Sequence, residues 1–370
     1  MLERYGHGGD LRTAEELYGR PMDDRSMRQW LDFSANMNPF GPPKVVAKIM
    51  QEKWQEIAHY PDPAVRELRR KLAKQYQLPE ESILVGNGAA ELIDLVVRVL
   101  RPKVTAIARP SFSEYEEAVV KTGGSIWDIP LHAEHDFILQ EKELGEALEK
   151  SDTFFLGHPN NPTGKRVPLQ HVQRILDAGK KLVLDEAFMD FLPEEEQSFL
   201  QKATQNPDLI VIRSVTKFFA IPGIRVGFLV AHPSVIARLK ELQVPWSVNY
   251  LAQLIGTAVW DESEYIEQTK RWLAMERPWL MDQLRALGLR VFSSDTNFLL
   301  FSLPQQSTYS AKQVQKHLAK RGILLRDASL FKGLNESYCR CAIRLRQDNE
   351  RFVAAFKELL EAGIDEADER

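Results

Sequence analysis

Cysteine is almost absent. Cys339 and Cys341 are the two in 370 residues. In "YCRCAIR" they stand two apart, so on a strand they share a face at a separation that does not bridge comfortably. A disulfide scaffold is excluded, the spacings of zinc sites are missing, and a reducing compartment fits. Neither sign of charge is in excess: 48 Lys and Arg stand against 52 Asp and Glu, a net charge of -4. A nucleic-acid partner would leave a basic footprint, and there is none. No uninterrupted apolar run reaches membrane-spanning length. "MLERYGHGGD" carries charges where a signal peptide needs an apolar core, and the acidic tail "EAGIDEADER" reads as solvated. Internal repeats and low-complexity segments are missing too. These absences predict a soluble, cytoplasmic protein without nucleic-acid or membrane partners.

What is present is alternation. "SILVGNGAAELIDLVVRVL", "VTAIARPSFSEYEEAVVKTG", "TFFLGHPNNPTG", "KLVLDEAF", "LIVIRSV" and "VGFLVA" are short apolar runs broken by turns and amphipathic helices. Near-continuous apolar strands of this kind suit a sheet covered on both faces. The fold class expected is α/β, a mainly parallel sheet between helices. "PAVRELRRKLAKQY" puts Val65, Leu68, Leu72 and Tyr76 on one helical face. Before Pro43 the chain reads as irregular. After about residue 233 it reads as helical to Leu287, where Gly288 is a stop signal. The strands "RVFSS", "TNFLLFSL" and "YCRCAIRL" then suggest a smaller α+β unit. The division expected is a lid segment, 1–43, belonging to the small domain, a large domain, 44–255, and a small C-terminal domain, 256–370.

Four strand ends carry chemistry-bearing residues, and ligands of such sheets sit at strand carboxyl ends. "VGNGAAE" opens a helix whose N–H groups suit a phosphate, although its glycines also make an ordinary tight turn. "HPNNPTGK" is rigid and polar, or simply an Asn-Pro turn. Asp185 in "LVLDEAFMDF" ends an apolar strand, where a carboxylate needs a partner. A protonated heterocyclic nitrogen, an internal salt bridge or a helix cap would each serve. Lys217 in "SVTKFFAIPGIRVG" either snorkels to solvent or, held in apolar surroundings, becomes a neutral nucleophilic amine. Ser214, Thr216 and Arg225 around it suit a phosphate dianion. His132 and His135 have a metal-like spacing but stand in a polar turn, so no metal site is expected.

A phosphate cradle, a carboxylate for a ring nitrogen and an imine-forming lysine together suit pyridoxal phosphate. The ordered set "NPFGP … YPDP … GNG … PNNPTG … DEAF … S-x-T-K … G-x-R-x-G" resembles the fold type I, aspartate-aminotransferase-like pyridoxal-phosphate enzymes. The similarity runs over nearly the whole length and is greatest to the histidinol-phosphate aminotransferase group. Within that group "HGGD", "DFSANMNPFGPP", "DEAFMDF" and "TKFFAIPGIRVG" resemble the threonine-phosphate decarboxylases.

The resemblance implies the cofactor pyridoxal 5'-phosphate, with Lys217 as covalent anchor and proton carrier and Asp185 on the ring nitrogen. Asn161 would meet the ring hydroxyl and the substrate, and Phe112 would stack on the ring. Gly88, Ala89, Ala90, Ser214, Thr216 and Arg225 would hold the cofactor phosphate. Tyr60 in "HYPDP" would reach the phosphate of the other subunit of a homodimer. It also implies that Arg340 holds an α-carboxylate and Arg326 a substrate phosphate, with His7, Gly8 and Asn36 in a lid. Many aminotransferases of the group have tyrosine where this chain has Phe188, and the decarboxylases resemble it there. The activity implied is decarboxylation of a phosphorylated amino acid in cobalamin biosynthesis. Histidinol-phosphate transamination, serine-phosphate decarboxylation and a non-catalytic regulator are the alternatives, the last without a basic module to support it. Decarboxylation and transamination differ in which bond to the α-carbon stands perpendicular to the cofactor ring, a matter of positioning.

Overall fold

In the computed structural model the described residues are 8–18, 30–193, 198–304, 307 and 309–362. A two-residue strand, β1 (Leu31–Asp32), precedes β2 (Ile83–Gly86), β3 (Val104–Arg109), β4 (Ser125–Pro130), β5 (Thr153–Gly157), β6 (Lys181–Asp185), β7 (Leu209–Ser214) and β8 (Gly227–Ala231). The last seven form one sheet in the order β2-β8-β7-β6-β5-β3-β4. β8 runs antiparallel to both neighbours, and the other pairings are parallel.

Side chains alternate across each strand. Leu182 and Leu184 of β6 face one apolar cluster and Val183 the other; Ile83 and Val85 of β2 oppose Leu84 in the same way. Helices Gly88–Leu100, Glu114–Lys121 and Pro233–Leu242 cover one face. Arg66–Tyr76, Glu141–Lys150, Leu169–Asp177 and Tyr250–Ala258 supply residues to the cluster on the other. Each buried Leu or Val contributes roughly 1.5–3 kcal/mol, so burial on both faces fixes the register of the inner strands, while the edge strand β4 buries only Ile129.

A second sheet, in the order β12-β13-β10-β9, joins β9 (Arg290–Val291), β10 (Phe298–Ser302), β12 (Arg326–Asp327) and β13 (Tyr338–Ala342). β11 (Ile323–Leu324) pairs in parallel with β1. The segment before Pro43 is therefore not irregular throughout: it holds a helix, Leu11–Tyr18, and β1. Both are too short to show a period in sequence. Leu31 and Phe33 donate to the carbonyls of Gly322 and Leu324, and Ala342 donates to that of Phe33. The stretch expected to run helical to Leu287 is divided into Pro233–Leu242, Tyr250–Ala258 and Ser263–Ala286. Pro245, which has no N–H to give, falls in the first break. Gly288, at φ +82°, ends the last helix as expected. Among the described residues no helix is long and apolar enough to cross a membrane.

Parallel strands deliver their carboxyl ends to one rim. Antiparallel β8 delivers its start there instead, so Arg225, two residues before it, joins the ends of β2, β3, β5, β6 and β7.

Candidate active site

The rim opens into a cleft of about 550 Å³ between the two sheets. At its floor β2 runs through Asn87 into helix Gly88–Leu100, placing the first-turn amides of Ala89 and Ala90 at the cleft wall. Gly88 lies behind that wall at φ +79°. A first side-chain carbon there would fall 2.3 Å from Nη2 of Arg225, so glycine lets the guanidinium lie against the helix start. Ser214 Oγ and Thr216 Oγ1 are 2.8 Å apart beside it. Two hydroxyls, a guanidinium and a helix N-terminus form an anion cradle.

Lys217 lies in the single helical turn Val215–Phe218 that follows β7. It lines the cleft and does not escape to solvent. Its amine is brought from 10.5 down to about 8, by burial first and then by Arg225 and Arg340, with Asp185 opposing. In cofactor-free protein the unfolded chain keeps the proton that the folded chain sheds between pH 8 and 10.5, so this group makes stability rise with pH across that window. Limited acylation of cofactor-free protein, read by mass spectrometry, is expected to modify Lys217 half-maximally near pH 8. Modification only near pH 10, with the exposed lysines, would contradict the geometry.

Asp185 ends β6. Burial raises its carboxyl, while Tyr115, the N–H of Ala187 and Lys217 pull it down. The Tyr115 hydroxyl donates to Oδ2 at 2.7 Å and the Ala187 N–H to Oδ1 at 2.9 Å. Its neighbour Glu186 accepts from the fully buried Arg213 at 3.0 Å, so Asp185 is the member of the pair that faces the cleft. Phe112 lines the cleft three residues before Tyr115, their rings edge to face.

The opposite wall comes from the second sheet. Arg326 of β12 and Arg340 of β13 are register partners. Arg340 donates through Nη1 to Asn161 Oδ1 at 2.6 Å and through Nη2 to the Ser34 carbonyl. Asn161 Nδ2 makes no hydrogen bond among the described residues. Burial and Arg326 bring Arg340 down to about 9, and burial brings Arg326 to about 10. Cys339 and Cys341 are buried free thiols on the other face of β13, the alternation that aims Arg340 into the cleft. Gly8 and Asn36 line the cleft beside them. Gly8 packs so closely on Ser34 that a first side-chain carbon would fall within 1.8 Å of its carbonyl oxygen.

Besides Gly88, one expected residue among those described does not line the cleft. Tyr60 is 83% exposed and rests against Trp246, ring centroids 5.1 Å apart. His7 lies outside the described residues. Tyr115, Ser111, Ser34 and Phe331 were not anticipated. Ser111, on the cleft wall, carries a buried hydroxyl with no hydrogen-bond partner among the described residues, and the aromatic at the start of a helix in "RPSFSEY" is the one signal that pointed toward Tyr115.

The description of aminotransferase class I and II matches residues 28–356. The chain belongs to that family. Within it, the chain is 37% identical to the threonine-phosphate decarboxylase of Salmonella typhimurium over 368 residues, 98% of each chain. The crystal structure of L-threonine-O-3-phosphate decarboxylase from Porphyromonas gingivalis superposes with a TM-score of 0.79 at 28% identity, over 89% of this chain and 99% of that one. Histidinol-phosphate aminotransferase from Clostridium acetobutylicum gives 0.83 at 30% identity, over 90% and 99%. The family is an aspartate-aminotransferase-fold one, and the cofactor of this member is pyridoxal 5'-phosphate. The residues present fit that group: an amine of lowered pKa, a carboxylate held by two donors, and a phosphate-sized cradle share one cleft.

Proposed function

We propose that the protein is a pyridoxal-phosphate-dependent carboxy-lyase that converts L-threonine O-3-phosphate to (R)-1-aminopropan-2-yl phosphate and CO2, in cobalamin biosynthesis. The observation that carries this reading is the facing pair of Arg326 and Arg340 in the cleft that holds Lys217. Two guanidinium groups without carboxylate partners among the described residues suit a substrate with two anionic groups.

Bound pyridoxal 5'-phosphate supplies an electron sink for the pair left when a bond to the substrate α-carbon breaks. Asp185, raised on balance by burial but accepting from Tyr115 and the Ala187 N–H, would pair with the ring N–H. Ser214, Thr216, Arg225 and the amides of Gly88 to Ala90 would hold the cofactor phosphate, while Phe112 and Asn161 orient the ring. Lys217 Nζ would anchor the group and return a proton to the α-carbon. Arg340 would orient the α-carboxylate and Arg326 the phosphate. CO2 carries no charge, so an arginine gripping the carboxylate loses its counter-ion as the bond breaks. The carbonyl of Ser34 and Oδ1 of Asn161 already accept from Arg340, and they keep it partnered through that change. Gly8 and Asn36 would close the cleft against water. Phe188, packed edge-on to Phe298 at 5.0 Å, brings no hydroxyl to the ring oxygen and leaves that contact to Asn161.

The deciding experiment supplies threonine phosphate to the holoenzyme and assays CO2 against a keto product formed with 2-oxoglutarate. Amino transfer without CO2 would replace this reading with the histidinol-phosphate aminotransferase one, which the Clostridium structure also supports. A serine-phosphate arm reads the methyl preference, worth about 1–3 kcal/mol. Gly8→Ala is expected to raise KM about tenfold by pushing the Ser34 carbonyl off Arg340; an unchanged KM would remove that link. The active unit in this reading is a homodimer, with exposed Tyr60 and Trp54 covered by the second copy and Tyr60 reaching its phosphate site. Sedimentation of the active holoenzyme as a monomer would sink it.

A further inference from the structure

Two arginines facing each other on neighbouring strands repel, since like charges directly opposite are destabilising. Arg326 and Arg340 occupy such positions. Among the described residues neither has a carboxylate within ion-pair distance, and the Nε of each is buried without a partner. Asp327 acts on Arg326, and Asp32 on Arg340, through charge from beyond ion-pair distance, and each carboxylate has other donors. Asp327 Oδ1 accepts from the Ser329 N–H, and Asp32 Oδ1 accepts from the N–H and hydroxyl of Ser34.

The group common to both arginines is Phe331. Its ring centroid is 5.4 Å from the guanidinium carbon of Arg326 and 5.9 Å from that of Arg340. Arg340 also lies 5.6 Å from the ring of Phe298. A cation near an aromatic face is attracted by the ring quadrupole, more strongly where water is excluded, and Phe331 is 8% exposed. A carboxylate in its place would hold the arginines too, but would neutralise them and compete with an anionic ligand. An aliphatic side chain would fill the space without attracting either.

The loop carrying the ring is tied to the large sheet. Lys332 Nζ lies 2.8 Å from Asp128 Oδ2. Oδ1 of the same carboxylate accepts from Nε of Arg109, the last residue of β3, at 2.7 Å. Gly333, at φ +99°, has Cβ of Arg109 within 3.3 Å of where its own side chain would begin. Arg109 leads through Pro110 and Ser111 to Phe112. The ring is thus fixed relative to the cofactor wall as well as to the arginines.

We propose that Phe331 is a positioning residue for anion recognition: its ring holds both guanidinium groups side by side without neutralising them, and so favours ligands that carry two separated negative groups. The identity of the substrate rests on the function proposed above; the part played by the ring does not.

The test compares wild-type holoenzyme with Phe331→Tyr and Phe331→Leu by calorimetric titration of inorganic phosphate, and by steady-state kinetics with threonine phosphate. Phe331→Tyr keeps the ring and is expected to bind phosphate within about threefold of wild type. Phe331→Leu is expected to bind it about tenfold more weakly, and to raise KM by more than it lowers kcat. Equal phosphate binding by the tyrosine and leucine variants would overturn the proposal, and Phe331→Met serves as the ringless variant if the leucine protein does not fold. Should wild type release no CO2 from threonine phosphate, the substrate reading fails while the phosphate titration still decides the part of Phe331.

Discussion

A Lys217→Ala protein is expected to release CO2 from threonine phosphate at least ten-thousand-fold more slowly than wild type, about the upper range for loss of a positioned proton-transfer group. The loss of the covalent anchor adds to this. Lys332 also lines the cleft, but its ammonium is paired with Asp128 and it is not set to substitute. Lys217→Arg is the sharper variant. It restores a cation but no neutral amine at neutral pH, so it should be as inactive as alanine if the lowered pKa of Lys217 matters, and partly active if charge alone matters. Trapped CO2 is the measurement, and residual activity above a hundredth of wild type in either variant would remove Lys217 from the role proposed. The visible absorption of lysine-bound cofactor, and its loss on borohydride treatment, should vanish with the same side chain.

Arg326→Leu is expected to divide activity from stability. Arg326 makes no hydrogen bond to protein among the described residues, and burial alone brings it down to about 10. Replacing a desolvated cation that has no hydrogen-bond or carboxylate partner among the described residues with an apolar side chain should stabilise the fold by about 1–2 kcal/mol, at the lower end of the known range because the group lines an open cleft and its contact with the Phe331 ring is lost. Relief of the repulsion with Arg340 has the same sign. Turnover of the phosphorylated substrate should nonetheless fall by about a hundredfold or more, because a charge-assisted, bidentate contact is lost. Calorimetry in phosphate-free buffer should show an unfolding midpoint no lower than wild type. A clear drop in that midpoint would mean that Arg326 is structural.

Much of this arrangement was legible in the chain because apolar runs of β length each end abruptly in a polar residue. Asp185, Ser214 and the start of helix Gly88–Leu100 stand out against Val, Leu and Ile, and a parallel sheet sends such ends to one rim. Arg225 was legible by motif; the reason that it arrives there, the reversed direction of β8, was not. Contacts made by chance of sequence but necessity of packing were hidden. The hydroxyl of Tyr115 reaches an acid 70 residues away, and the Ser34 carbonyl, which any residue would possess, accepts from Arg340 across 306 residues. β1 and β12, at two residues each, are too short for alternation to register, so the strand that sets Arg326 opposite Arg340 left no periodic trace. Tyr60 was singled out by motif alone, and it is exposed and does not line the cleft of its own chain.

The pairing of β1 with β11 has a consequence for synthesis on the ribosome. Residues 83–231 contain every strand of the seven-stranded sheet, and the cradle, Asp185 and Lys217 all fall inside that span. The strand at Leu31–Asp32 waits for Ile323 and Leu324, and Arg340 is made later still. Domains generally fold as units while the chain is being made, so the residues read as cofactor-binding are complete while Arg326 and Arg340, read as substrate-binding, are still unmade. The order of synthesis thus separates the two sides of the cleft in time: Asp185 and Lys217 leave the ribosome well before the facing arginines that complete it.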